Sequence, residues 1–172
     1  MRQMTRQEQN EIFSQWLEAH RGIFFKIIKA YAFNLFDQED LFQEISMQVW
    51  RSVLGFKGDS AVATWIYRIA LNTALKWSSK ERKHSDQEKK QEWGEHILSL
   101  QQEKPDERLE WLYEQLAKLD KIDRSVCLLL LDGFSYKEMA NMVGISESYV
   151  GVRINRIKKH LTQQSEKLKN GV

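Results

Sequence analysis

Ser148, Val152, Asn155 and Lys159 are spaced so that a helix would set them in one row, with Tyr149, Arg156 and Lys158 beside it. These side chains offer hydroxyl, amide and cationic groups to base edges and phosphates. Val152 adds methyl groups that can meet a thymine methyl. The chemistry implied is recognition of nucleic acid rather than bond making. His20, His84, His96 and His160 are scattered, with no two at ligand spacing. No glycine-rich phosphate loop and no nucleophile motif occurs. A single cysteine, Cys127, excludes an internal disulfide and any site built on cysteine pairs. No enzyme, cofactor or metal is expected.

The row needs a helix that buries its opposite side, and the surrounding residues supply one. Val150, Ile154, Ile157 and Leu161 form a single apolar stripe facing away from the row. Ser146 suits an N-cap for this helix. Before it, Gly144 suits a tight left-handed turn. Further back, Ser135 and Glu138 make a capping box for a short helix whose inner face is Met139, Ala140 and Val143. A short capped helix, a glycine turn and a longer basic helix make a helix-turn-helix whose second helix fits the major groove.

The rest of the chain is helical in pattern. One proline and 8 glycines in 172 residues argue against a loop-rich β architecture. The expected fold is all-α, with two small helical domains joined by a flexible linker. The first long helix carries Phe13, Trp16, Leu17, His20, Phe24, Ile27, Ile28 and Tyr31 on one face. Asp37 is expected to cap a second helix that runs to about Leu54, with Phe42, Ile45, Val49 and Val53 inside. A turn at residues 55–60 leads to a third helix, from about Ala63 to Arg82, with Trp65, Ile66, Ile69, Thr73 and Trp77 on its buried side. The expected divisions are residues 1–84, a linker over 85–105 rich in Ser, Asp, Gln, Glu and Lys, and residues 106–172. Fully extended, the linker spans no more than ~70 Å. Leu109, Leu112, Leu116 and Leu119 mark one helix after it, and residues 122–131 a second. Cys127 is expected inside as a small hydrophobe.

Net charge is only +2, yet the charges are sorted. Arg68, Lys76, Lys80, Arg82 and Lys83 make one basic zone. Arg153, Arg156, Lys158, Lys159, Lys167 and Lys169 make another. Glu92, Glu95, Glu103, Asp106, Glu107, Glu110 and Glu114 lie between them. Two basic zones with an acidic bridge suit two contacts on one polyanion. The start lacks the apolar core of a signal peptide, and no run reaches membrane-spanning length. A cytoplasmic protein without membrane insertion is expected.

Two further groups of residues stand out. Asp40, Gln43, Glu44 and Met47 share one face of the second helix. Their acidic character would repel DNA and suits a protein partner with cationic residues. In residues 56–72, Phe56, Trp65 and Tyr67 sit near Lys57, Arg68 and a small polar loop. Aromatic faces with cations can hold single-stranded bases, and such a loop can accept an extruded one. Trp65 also suits the core, and Phe56 a plug for the loop.

These segments together resemble the bacterial RNA polymerase sigma factors of the extracytoplasmic-function type. Asp-Leu-x-Gln-Glu leading to Trp (Asp40 to Trp50), Phe-x-Gly-x-Ser (Phe56 to Ser60) and Thr-Trp-Ile-Tyr-Arg-Ile-Ala-x-Asn (Thr64 to Asn72) are similar to that family's second conserved region. Gly133-x-Ser-Tyr-x-Glu-Met-Ala and Gly144-Ile-Ser, with the basic helix after it, resemble its fourth. The resemblance implies a specificity subunit that binds core RNA polymerase and directs promoter recognition and transcription initiation. It implies that Asp40, Gln43, Glu44 and Met47 bind the β′ clamp helices. Phe56, Lys57, Asp59, Ser60, Tyr67, Arg68 and Asn72 would hold the minus-ten element. Ser146, Glu147, Ser148, Tyr149, Val152, Arg153, Asn155, Arg156, Lys158 and Lys159 would read the minus-thirty-five element. The β flap would hold the C-terminal domain, and the family commonly has an anti-sigma partner. Two departures bear on promoter sequence: Gly151 stands where the family often has Lys, and Val152 where a small polar residue is usual. A stand-alone helix-turn-helix regulator is the rival reading. It accounts for residues 106–165 but leaves the acidic face and residues 56–72 without a task.

Overall fold

The computed structural model describes residues 3–80 and 106–171. These form seven α-helices and one short 3-10 turn, and no strand occurs among the described residues. The expected linker, together with Arg82 and Lys83 of the first basic zone, lies outside them. By contacts the chain divides into two units, residues 1–105 and 106–172.

In the first unit α1 spans Arg6–Tyr31, α2 Leu35–Ser52 and α3 Val62–Ser79. Thr5 caps α1. Its hydroxyl accepts the Glu8 amide at 3.2 Å, and the Glu8 carboxylate accepts the Thr5 amide at 2.7 Å. The backbone leaves helical geometry once inside α1, at His20 (φ −123°, ψ 20°). The start of α1 is fastened to the end of α2 by side chains: Gln9 Nε2 donates to the Trp50 carbonyl at 2.8 Å, and Trp50 Nε1 donates to Asn10 Oδ1 at 2.8 Å. Each of the three helices packs on the other two. Phe24, Ile27, Ile28, Leu41, Ile45, Val49, Ile66, Ala70, Leu71 and Ala74 fill the shared interior.

Two expectations for this unit are corrected. Asp37 is not the cap of α2. Asn34 is: its Oδ1 accepts the Asp37 amide at 2.8 Å, and its Nδ2 donates to the Asp37 carboxylate at 2.9 Å. The first turn holds Leu35 and Phe36, both exposed, so apolar periodicity begins one turn after the helix does. In addition, α3 buries more than one stripe. Tyr67, Leu71 and Ala74 are inside along with Ile66 and Trp77, because α1 covers one side of α3 and α2 another.

In the second unit α4 spans Glu107–Lys118, α5 Lys121–Leu131, α6 Tyr136–Val143 and α7 Glu147–Lys169. Arg124 is buried and closes the end of α4. Its Nε donates to the Leu116 carbonyl at 2.9 Å, and its Nη2 to those of Ala117 at 3.2 Å and Leu119 at 2.9 Å. A cation placed on the last carbonyls satisfies acceptors that the helix itself cannot. Cys127 is buried. Burial first, then the Asp123 charge, pushes its thiol up to about 11, so it stays protonated at neutral pH. The core joins Leu116, Val126, Leu128 and Leu129 to Met139, Met142, Val150, Ile154 and Ile157.

Candidate nucleic-acid and partner surfaces

The helix-turn-helix is built by its caps. Ser135 Oγ accepts the Glu138 amide at 3.2 Å while the Glu138 carboxylate accepts the Ser135 amide at 2.7 Å. Those bonds, the backbone one first, hold the Glu138 carboxyl below its ordinary range. Gly144 ends α6 at φ 80°, a conformation that side-chain-bearing residues rarely adopt, and its amide donates to the Ala140 carbonyl at 2.9 Å. Ser146 Oγ then accepts the Tyr149 amide at 3.2 Å and starts α7. The chain therefore turns sharply, and α7 buries Val150, Ile154 and Ile157 on α5 and α6.

That burial turns Ser148, Tyr149, Val152, Asn155, Arg156, Lys158 and Lys159 outward, together with Glu147. Val152, a valine with 61% of its surface in water, is an apolar residue with no folding reason to be there. Gly151 is half-buried. A Cβ at that position would meet Tyr136 Cε2 at 3.6 Å, an ordinary contact.

Arg153 departs from the expected outward set. Its side chain is only 13% exposed and bridges to the start of α5. Nη1 donates to Asp123 Oδ1 at 2.8 Å and to both Asp120 oxygens at 3.1 Å, and Nη2 donates to Tyr149 Oη at 2.6 Å. Its guanidinium also lies 4.7 Å from the centre of the Tyr149 ring. Burial opposes its charge, but Asp123, Tyr149 and Asp120 raise its pKa regardless. Periodicity put Arg153 at the edge of the row. Only the approach of α5 shows that it faces inward. Arg156 is shared between the two surroundings: its side chain is 57% exposed, yet Nη2 donates to Asp123 Oδ2 at 2.6 Å. Sequence reasoning missed Asp120 and Asp123. They lie 30 or more residues away in the chain from the arginines they hold, so no local signal marks them.

In the first unit, Phe56 is half-buried between two tryptophans. Its ring centre is 5.2 Å from Trp16 and 5.5 Å from Trp65, and Trp65 Nε1 donates to Ser52 Oγ at 3.1 Å. Phe56 is thus the plug of the loop, and Trp65 belongs to the same cluster. Tyr67 is 3% exposed, so its ring offers no face to a base in this structure. Without DNA, Phe56 thus packs behind the loop and Tyr67 inside the helix bundle. Lys57, Asp59, Ser60 and Arg68 are exposed and Asn72 is half-exposed, around a turn where Gly58 takes φ 80°.

On α2, Gln43 and Met47 are exposed and Glu44 is half-exposed, accepting Gln48 Nε2 at 3.3 Å. Asp40 at the head of the stripe accepts Trp77 Nε1 at 2.8 Å. This carboxylate therefore also ties α2 to α3. No helix among the described residues is long and apolar enough to cross a membrane.

Residues 16–84 match the family model for sigma-70 region 2, and residues 109–161 that for sigma-70 region 4. The RNA polymerase sigma factor YlaC of Bacillus subtilis is 28% identical over 139 residues, 74% of this chain and 79% of YlaC. The extracytoplasmic-function RNA polymerase sigma factor SigX of the same organism is 31% identical over 142 residues, 76% of this chain and 73% of SigX. In fold, the chain is similar to the sigma factor RpoE of Bartonella quintana, solved in complex with the anti-sigma factor NepR. That match has a TM-score of 0.63 at 19% identity, over 91% of this chain and 98% of RpoE.

Proposed function

This chain belongs to the extracytoplasmic-function sigma factors of RNA polymerase, and we propose how its own residues carry the family's task. As such a factor it binds core RNA polymerase and directs promoter recognition and transcription initiation. We assign minus-thirty-five reading to Ser148, Tyr149, Val152, Asn155, Arg156, Lys158 and Lys159. The observation that carries the assignment is the exposed face of α7, polar and cationic around a water-facing Val152, on a helix fixed by two caps and a left-handed glycine.

Lys57, Asp59, Ser60, Arg68 and Asn72 are proposed to engage the minus-ten element. Phe56 and Tyr67 act behind them by holding the loop and α3 in place. Gln43, Glu44 and Met47 form the face for the β′ clamp helices, with Asp40 anchored by Trp77, and the β flap holds the second unit. Residues 1–84 and 106–172 act as two modules on one tether, so that engaging one raises the effective concentration of the other. The chain works in the cytoplasm as a non-catalytic subunit. An anti-sigma factor, such as the one bound to RpoE in its structure, would mask these same surfaces. A stand-alone regulator is disfavoured because both sigma regions match.

Run-off transcription with purified core polymerase and a randomised promoter library tests this reading. The expected result is sequence-dependent initiation only when the chain is present. Binding to DNA without polymerase, together with no start-site choice in its presence, refutes it.

A further inference from the structure

Asp120 and Asp123 on α5 stand opposite Arg153 and Arg156 on α7, and their four charges sum to zero. Arg153 is enclosed, so its pairing holds α7 on α5. Arg156 is different. Its guanidinium is mostly in water, and within the structure only Nη2 is engaged, at 2.6 Å from Asp123 Oδ2 and 3.4 Å from Asp120 Oδ2. Nε and Nη1 donate to nothing among the described residues. A free surface arginine is flexible and carries a full positive charge, so any phosphate can capture it. Arg156 differs, because a largely buried carboxylate holds one of its nitrogens at 2.6 Å and offsets part of its positive potential.

We propose that Asp123 is a positioning residue that aims Arg156 at a base edge and withholds it from the phosphate backbone. This rests on the reading of Arg156 as a DNA contact. The entropic cost of ordering a long side chain is met before DNA arrives. The N–H groups left over on Nε and Nη1 leave the guanidinium on different edges, so each is suited to a single acceptor, such as guanine O6 or N7. The neighbouring carboxylates repel phosphate and disfavour a slide to the backbone, so selectivity comes from repulsion as well as attraction. Asp123 would thus shape promoter choice without touching DNA.

The test compares the parent chain with Arg156→Ala, Asp123→Asn and the double variant, each in holoenzyme with core polymerase. Binding to a DNA library randomised over both elements is measured at several salt concentrations. Arg156→Ala should lose preference at one base pair, or two adjacent ones, by about tenfold, within the range of a charge-assisted hydrogen bond. Asp123→Asn should lose preference at the same position, and it should add nothing there in the double variant. Freed of its carboxylate, Arg156 should also raise affinity for unrelated DNA, with a salt dependence steeper by about one phosphate contact. A purely structural role predicts the opposite: Asp123→Asn would weaken all sequences alike.

Uniform weakening, or unchanged preference in Asp123→Asn while Arg156→Ala loses it, overturns the proposal and leaves Arg156 as a reader. No change of preference in Arg156→Ala overturns the assignment of Arg156 itself, and the role of Asp123 with it. Should Asp123→Asn lose its fold by circular dichroism, Asp123→Glu serves instead. It keeps the charge facing Arg153 but displaces the acceptor by one methylene, and its loss of preference at that same base pair is read in the same way.

Discussion

Arg153→Ala should damage the fold of the second unit more than any substitution on the exposed face of α7. The guanidinium reaches Asp123, whose side chain is only 6% exposed, at 2.8 Å. Removing one member of a buried ion pair costs about 3–5 kcal/mol, since the remaining charge loses its partner. Here Asp123 keeps Arg156 at 2.6 Å, so the loss belongs at the lower end, about 3 kcal/mol. A unit of this size has a total stability of roughly 3–10 kcal/mol. The variant should then melt about 12–24 °C lower. Hydrogen exchange read by mass spectrometry on full-length protein gives the location: peptides within 121–131 and 147–169 should lose protection while those of α1–α3 do not. Combining Asp123→Asn with Arg153→Met should recover most of the loss, since removing both charges leaves neither stranded. A melting point for Arg153→Ala within 4 °C of the parent (about 1 kcal/mol or less) would refute the view that Arg153 is a structural residue. A role for it on DNA would then return.

Three other experiments probe separate parts of the account. Gly144→Ala and Gly151→Ala should have opposite effects in thermal melts. The first forces φ 80° on a residue with a Cβ and costs about 1–2 kcal/mol. The second meets only an ordinary contact at Tyr136 and gains up to about 1 kcal/mol of helix stability. Asp120→Asn keeps an oxygen for the cap of α5 but removes a carboxyl whose pKa is lowered. Burial pushes that pKa up, and the Asp123 amide with the Arg153 and Arg156 charges more than offsets it. A lowered folded value gives stability that is present above about 3.8, the ordinary value, and lost as pH falls through the folded one. The variant should therefore be less stable than the parent at neutral pH, and the two should converge in strong acid. Parallel curves in a pH series of urea melts would count against the pairing. Gln43→Ala with Glu44→Lys should weaken binding to core polymerase while helicity holds. An unchanged dissociation constant in a titration with labelled core would remove this face from the contact.

Sequence and tertiary structure divided the information by range. Local chemistry was legible in the sequence. Ser135, Glu138, Gly144 and Ser146 define the helix-turn-helix because caps and left-handed turns depend on residues within three or four positions. The row of Ser148, Val152, Asn155 and Lys159 follows from helical periodicity alone. Boundaries whose signal is not apolar were lost, as at Asn34, where the helix begins in water with Leu35 and Phe36 exposed. Contacts between distant segments were decided only by packing. Phe56 enters the gap between Trp16 and Trp65, Tyr67 disappears because α3 is covered on two sides, and Asp40 bonds to Trp77 across helices. The same holds for Asp123, which draws Arg153 inward and tethers Arg156. Periodicity specifies which way a side chain leaves its helix. What waits there depends on where the other helices lie, and that is set by the burial of the whole core.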